Sequence, residues 1–307
     1  HVGTFITVNA VSGTRARGEN LRQQWQGLCE NMEGASIARV AEVFARCDLV
    51  LCDIAPLGIA AARQAGVPSV LLENFTWDWL YEGYLEQYPG LRPFLSCLRD
   101  LNQLADYHIQ ASPFCAPGPC DLLAGPIARR IRSGRAEVRK KLGVAAGQRV
   151  VLISLGGLGM AGINLRLPDN DHDTLYLIAG QAAEPQGRKH VRILPPDSGL
   201  DHPDLVAACD AVIGKVGYST LAEVYQAQVP FGYIPRQGFR ESGPLVKFIR
   251  QEMAGLEISE QELAEVSLAD RILSLCGLTP PPRRLPDGAA QCAAFLAALP
   301  GNPRRKG

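Results

Sequence analysis

The chain has 307 residues, of which 47% are hydrophobic and 20% charged, with 31 basic and 31 acidic side chains. This length and composition fit two globular domains and argue against a disordered chain. The balanced charge gives no overall field that would recruit nucleic acid, and no apolar run reaches the roughly 20 residues of a membrane span.

The first half of the chain contains a strand, a helix and a second strand in close succession. Asp48–Asp53 is a short apolar run that ends in an acid, which is typical of a buried strand. The alanine-rich stretch Pro56–Ala65 predicts a helix that Gly66 ends, and Val67–Leu72 predicts the next strand. A βαβ unit of this length indicates a parallel sheet.

Weaker patterns follow before the next clear strand. We expect a helix at Pro93–Ala105, a strand at Asp106–Ala111, a loop at Pro113–Pro126 and a basic helix at Ser133–Leu142.

A second α/β unit begins with the apolar run Gln148–Leu155, which is followed by glycines. The remaining predicted elements are strands at Thr174–Ala179, Val191–Leu194, Ala211–Ile213 and Pro230–Ile234, helices at Leu205–Cys209, Leu221–Ala227 and Ala289–Leu299, and a linker at Thr279–Pro282.

These elements predict an α/β protein with two Rossmann-like domains. We expect an N-terminal domain at 1–128, an interdomain bridge at 129–147, a C-terminal domain at 148–278, and a linker, final helix and basic tail at 279–307. Because the chain starts at His1 without a methionine, we expect the N-terminal domain to be incomplete.

The nine cysteines lie mostly within apolar segments. An odd number in such positions indicates buried free thiols in a reducing compartment, which predicts a cytoplasmic protein. Cys115 and Cys120 form a close pair, and the additional ligands of a structural zinc are not visible. We therefore expect no metal site.

The most informative motif runs from Asp210 to Glu223, where a strand leads through glycines into a helix. The free N–H groups at such a helix start can bind phosphate, Gly217 allows close approach, and Ser219 and Thr220 add hydroxyl donors. The alternative is an ordinary turn in which Ser219 caps the helix.

Glu223 lies about one helical turn beyond Ser219 and can share the face of that loop. A carboxylate in this position can accept hydrogen bonds from both hydroxyl groups of a ribose. The alternative is a capping-box acid that closes on Ser219 or Thr220.

Two further positions complete the candidate site. Gly156 and Gly157 follow the first strand of the second unit and form a second glycine turn at the ligand-binding edge of a parallel sheet. Asp53 ends a strand of the first unit, where it would act as a general base on an acceptor hydroxyl. The alternative for Asp53 is a cap for the helix that begins at Pro56.

Asp210–Glu223, Val229–Phe231 and the polar stretch Arg236–Ser242 resemble the donor half of GT-B glycosyltransferases, in particular family-28-like N-acetylglucosaminyltransferases. The segments Asp48–Asp53 and Asn74–Asp78 and the same glycine turn also resemble the glycosyltransferase-like N-terminal module of L-arabinokinases. The resemblance covers roughly Asp48 to Ile258.

The resemblance implies a role for each candidate residue in binding a nucleotide sugar. Glu223 would hold the ribose, and Gly217, Ser219 and Thr220 would contact the diphosphate, with Gly156 and Gly157 on its other side. Lys215 would help neutralise the leaving diphosphate, Arg240 and Glu241 would face the sugar, and backbone near Arg192–Leu194 would read the base.

The resemblance also implies a function. We expect inverting, metal-independent glycosyl transfer from a nucleoside-diphosphate sugar, one with uridine as the base, to an unidentified acceptor, with the donor as substrate and no cofactor. Two alternatives share the fold, a nucleotide-sugar epimerase and a non-catalytic module that binds a nucleotide sugar and regulates a partner.

Overall fold

A computed structural model describes residues 41, 44–155, 165–168, 171, 173–179, 190–195 and 198–300. The described chain divides into two compact units. Unit 1 contains the residues up to Leu123 together with those from Cys292 onward, and unit 2 contains Ala124–Gln291. The stretch 129–147, which we expected to bridge the domains, lies within unit 2.

Unit 1 is built on a four-stranded sheet of order β1-β2-β3-β4, in which β1, β2 and β3 are parallel. The parallel βαβ unit is therefore confirmed. The elements are β1 (Val50–Asp53), α1 (Pro56–Ala65), β2 (Ser69–Glu73), α2 (Trp77–Glu82), α3 (Arg92–Gln103), β3 (Tyr107–Ala111) and β4 (Leu122–Ala124).

The local signals in unit 1 explain where its elements begin and end. Helix α1 has the predicted bounds because Pro56 suits its first turn and Gly66 takes the left-handed conformation, φ 67°, just after its end. The three-residue strand β4 lies in the stretch predicted to be loop, and that prediction is wrong there.

Unit 2 is built on a six-stranded, fully parallel sheet. The elements are α4 (Arg135–Lys141), β5 (Arg149–Ser154), β6 (Thr174–Ala179), β7 (Val191–Leu194), α5 (His202–Ala208), β8 (Ala211–Lys215), α6 (Tyr218–Ala227), β9 (Phe231–Ile234), α7 (Ser242–Glu252), β10 (Gly255–Glu257), α8 (Leu268–Cys276) and α9 (Gly288–Ala298), whose last residues belong to unit 1.

Strand β5 is buried on both faces, which explains its continuous apolar sequence. The side chains of Val150 and Leu152 pack in one hydrophobic cluster with α4, α5, α6 and α7, and those of Val151 and Ile153 pack in a second with α8. Helices therefore cover both faces of the sheet, as expected for a Rossmann-like domain.

The strand order β7-β6-β5-β8-β9-β10 places the ligand-binding edge of unit 2. Chain connections leave β5 toward β6 on one side and return to β8 on the other. Such a reversal opens a crevice at the carboxyl ends of the two central strands, where open α/β sheets bind ligands. In unit 2 these ends are Ser154 and Lys215.

At the amino ends of the unit 2 strands, Asp210 links several elements by hydrogen bonds. Its carboxylate accepts hydrogen bonds from the Val150 N–H at 2.7 Å, from Arg139 at 3.0 Å and from Arg135 at 2.6 Å. Desolvation alone would raise the pKa of the Asp210 carboxyl, but these partners outweigh it and lower the pKa below its ordinary value. The ionised carboxylate thus ties α4 to the start of β5.

We expect Asp210→Asn to lower the free energy of unfolding by about 1–3 kcal/mol at neutral pH. Because the pKa is depressed on folding, this stability exists above the unfolded-state pKa and is lost as the pH falls through the folded-state value. The Tm difference between the wild type and the variant should therefore shrink as the pH falls below the ordinary pKa of an aspartate. Asp270→Asn, at an exposed aspartate, is the control, and an equal Tm of both chains at neutral pH would contradict the account.

Candidate functional site

The predicted glycine turn lies at the carboxyl edge of the unit 2 sheet. Strand β8 extends to Lys215, and α6 begins at Tyr218, three residues before the predicted start at Leu221, with Gly217 as its N-cap residue. No side chain caps this helix, so the alternative in which Ser219 is the cap is wrong. The first-turn N–H groups therefore lack a side-chain cap at the edge where a ligand is expected.

Two glycines of the motif have different reasons to be glycine. A Cβ atom on Gly214 would lie 2.7 Å from the carbonyl oxygen of Ser154, so the close approach of β8 to β5 requires glycine. A Cβ atom on Gly217 would meet nothing within 4 Å. The space beside Gly217 is open, as close approach of a ligand to the backbone requires.

Gly214→Ala is expected to destabilise unit 2 by about 1–3 kcal/mol, because the neighbouring atom is backbone in a central strand and cannot move aside. Thermal unfolding measures this loss as a lower Tm. Gly243→Ala, where a Cβ also meets nothing within 4 Å, is the matched control. An unchanged Tm for Gly214→Ala would show that the spacing of the two strands is not fixed in this way.

Four side chains form a continuous hydrogen-bonded chain at the same edge. The Ser154 Oγ lies 3.1 Å from His202 Nε2, and His202 Nδ1 lies 2.6 Å from Glu223 Oε2. The Nε of Arg129 donates to Glu223 Oε1 at 2.6 Å. We call Ser154, His202, Glu223 and Arg129 the edge network.

The edge network is most buried at Glu223 and most exposed at Arg129. The Glu223 side chain is 2% exposed, that of His202 is 22% exposed and that of Arg129 is 66% exposed. Burial would raise the pKa of the Glu223 carboxyl, but hydrogen bonds from His202 and Arg129 outweigh it and lower the pKa. Glu223 is therefore an ionised carboxylate that is hydrogen-bonded to Arg129 and His202.

This arrangement can move a proton between a hydroxyl group and an imidazole ring. A histidine with an ionised carboxylate on Nδ1 is oriented to exchange a proton at Nε2, and Ser154 lies at that nitrogen. A hydroxyl, an imidazole and a carboxylate are hydrogen-bonded in the same order in enzymes that activate a serine hydroxyl group.

Glu223 was found from its local motif, whereas His202 and Arg129 were missed. The alternative in which Glu223 closes a capping box is wrong, because both of its oxygens bind other elements. His202 opens α5 and Arg129 lies before α4, 21 and 94 residues from Glu223 in sequence. For His202 the available signal was topological, because the helix starts that follow parallel strands meet at one edge of the sheet.

The other predicted donor-site residues lie around the same helix start or outside the described residues. Lys215 forms an ion pair with Glu260 at 2.9 Å, Ser219 is exposed and Thr220 is half-buried. Gly156 and Gly157 lie outside the described residues.

The polar stretch before α7 contains Arg240 and Glu241, which we expected to face the sugar. Glu241 is buried as the N-cap residue of α7, and Arg240 is half-buried. The guanidinium of Arg236 stacks on the ring of Phe239, 4.0 Å from its centroid.

Asp53 ends β1 in unit 1 and is exposed. The helix that follows has Ala55 as its N-cap residue and no side-chain cap, so the alternative in which Asp53 caps α1 is wrong. Desolvation by its surroundings raises the pKa of the Asp53 carboxyl. A raised pKa suits a group that must exchange a proton.

Comparison with known proteins gives two similar relatives. L-arabinokinase from Arabidopsis thaliana is 30% identical over 222 residues, which are 71% of this chain and 21% of that protein. The UDP-N-acetylglucosamine–N-acetylmuramyl-(pentapeptide) pyrophosphoryl-undecaprenol N-acetylglucosamine transferase from Bacillus licheniformis is 26% identical over 223 residues, 68% of this chain and 56% of that enzyme. No family model matches the chain.

The comparison with solved structures decides the fold. The glycosyltransferase SnogD from Streptomyces nogalater superposes with a TM-score of 0.51 at 19% identity, over 94% of this chain and 86% of that one. The chain has the GT-B fold. Both expected Rossmann-like sheets belong to this fold, and the predicted fold class is confirmed.

Within the GT-B fold, unit 2 corresponds to the half that we expected to hold the donor. The chain spans about a fifth of the L-arabinokinase and 56% of the bacterial transferase, so the similarity concerns only part of each relative.

Among the helices that the structure describes, none has the length and apolar character of a membrane span.

Proposed function

We propose that this GT-B protein binds a nucleoside-diphosphate sugar on unit 2 and transfers the sugar, with inversion, to an acceptor. The observation that supports this proposal most strongly is the ionised Glu223 at the edge where β5 and β8 diverge. A carboxylate there matches the hydroxyl groups of a ribose, and the adjacent start of α6 supplies N–H groups for a diphosphate.

Glu223 in this proposal accepts hydrogen bonds from the ribose diol. Each of its oxygens already has one partner, but a carboxylate oxygen can accept more than one hydrogen bond. Arg129 is the exposed partner and covers Oε1, so we propose that it moves aside when ribose binds. His202 stays and keeps the carboxylate oriented.

The proposed diphosphate site consists of Gly217, Ser219 and Thr220 at the start of α6, with Gly156 and Gly157 beyond β5. Positive charge would come from the helix start and from Lys215 after it leaves Glu260. We further propose metal-independent transfer without a cofactor. The name of the Bacillus licheniformis relative, which contains UDP-N-acetylglucosamine, supports uridine as the base.

The acceptor side of the proposed reaction is unit 1, with Asp53 as the general base. The base removes the proton of the acceptor hydroxyl while the hydroxyl oxygen attacks the anomeric carbon of the donor sugar. The bond from that carbon to the diphosphate oxygen breaks, and the diphosphate leaves. The cysteine pattern, with buried thiols such as Cys52 and Cys209, supports our proposal that the reaction takes place in the cytoplasm.

Release of UDP from a panel of UDP-hexoses and UDP-N-acetylhexosamines, with and without candidate acceptors, tests this function. Acceptor-dependent release of UDP is expected. Change of the sugar configuration without an acceptor would instead identify an epimerase. Binding without any turnover across the panel would identify a regulatory module and contradict catalysis.

A further inference from the structure

The edge network fixes the direction of each of its hydrogen bonds. Because Glu223 is ionised, it can only accept, so Nδ1 of His202 donates to it. A neutral imidazole then has Nε2 as an acceptor, and the Ser154 hydroxyl donates to that nitrogen. The single hydrogen of Ser154 is therefore used inside the protein while His202 is neutral.

A phosphate at the end of β5 needs donors, and a proton on His202 supplies them. With a second proton the ring donates from Nε2 to the Ser154 oxygen, and the serine hydrogen becomes free to point toward the ligand. The charge of the network rises by one, because His202 becomes a cation. The added charge suits a dianionic phosphate.

We propose that Ser154 and His202 form a phosphate subsite that binds a nucleoside diphosphate together with one proton. The proton comes from the solvent and binds to Nε2 of His202, and no covalent bond is formed or broken. This inference rests on the proposed function and extends it, because it makes donor binding depend on pH.

The charged groups around His202 have partners within unit 2. Glu223 faces the ring from α6, and Arg129 lies behind that carboxylate. Next to the ring in sequence, Asp201 pairs with Arg132 at 3.6 Å, and Asp204 accepts the Arg132 backbone N–H at 2.7 Å. Of these residue types only histidine ordinarily changes its charge between about pH 5 and 8.

Calorimetric titration of UDP in two buffers of different ionisation enthalpy, PIPES and Tris, measures the proton directly. At about pH 7.5, where a terminal phosphate with a pKa of about 6 is already ionised, the wild type is expected to show net proton uptake on binding UDP. Its affinity should fall by up to about tenfold per pH unit above neutrality.

Two variants separate this subsite from a structural role of the histidine. His202→Gln keeps hydrogen-bonding groups but cannot titrate, so it is expected to bind UDP without proton uptake. Ser154→Ala is a smaller change that should weaken UDP binding by about tenfold. His190→Gln is the control, because His190 bonds the Pro168 carbonyl elsewhere in unit 2 and should leave the uptake unchanged.

UDP binding by the wild type without proton uptake would overturn the inference and leave the proposed function standing. Unchanged uptake in His202→Gln would overturn it in the same way. A chain that binds UDP at no pH would contradict the proposed function and this inference together.

Discussion

Glu223→Ala is expected to weaken the binding of UDP by about five- to 150-fold, the equivalent of about 1–3 kcal/mol. The variant removes the carboxylate that the proposal assigns to the ribose diol. It also removes the partner that orients His202 at 2.6 Å and the partner of Arg129 at 2.6 Å. Isothermal titration calorimetry of both chains measures the effect.

The same variant tests whether Glu223 has only a structural role. Because the carboxylate is buried and doubly bonded, some loss of Tm is expected in any case. Glu265→Ala, at an exposed glutamate that bonds Ser267, is the control and should keep both affinity and Tm. A lower Tm with unchanged affinity for UDP, measured well below the Tm, would show that Glu223 serves stability alone.

Asp53→Asn is expected to lower acceptor-dependent UDP release by about 100- to 10,000-fold, the usual contribution of a general base. Asparagine keeps the size of the side chain but cannot take a proton. Desolvation raises the pKa of Asp53, and a protonated carboxyl cannot act as a base. As the pH is lowered, the wild-type rate should therefore begin to fall at a higher pH than the ordinary pKa of an aspartate would give. The kcat/KM profile of both chains measures this loss.

The assignment of Asp53 also requires that the donor still binds. The affinity for UDP should be the same in the wild type and in Asp53→Asn, because Asp53 belongs to unit 1 and the proposed donor site to unit 2. Asp100→Asn, an exposed residue on α3, controls for the loss of a surface charge in unit 1. Full transfer activity in Asp53→Asn would remove Asp53 as the base.

Much of the fold could be predicted because its signals are local. Strands β6 and β7 have the predicted bounds, since a short apolar run between polar residues defines a buried strand. Helix α7 was not predicted. It begins at Ser242, and its first turn contains Gly243 and Pro244. These residue types are typical of turns, but the first turn of a helix tolerates them.

The candidate site could be predicted only where its residues lie in one motif. Glu223 and Gly217 follow β8 in a short stretch, and the structure places them at the expected edge. His202 reaches Glu223 only because α5 and α6 start at the same edge of the sheet, which requires the strand order.

Calorimetric titration with UDP, GDP, TDP, NAD and ATP, without added metal, tests most directly whether unit 2 holds a donor nucleotide. Saturable binding of UDP, weakened in Glu223→Ala and unchanged in Glu265→Ala, is the result that we expect. Binding of NAD or ATP alone would assign the glycine turn to another class of ligand and contradict the donor site.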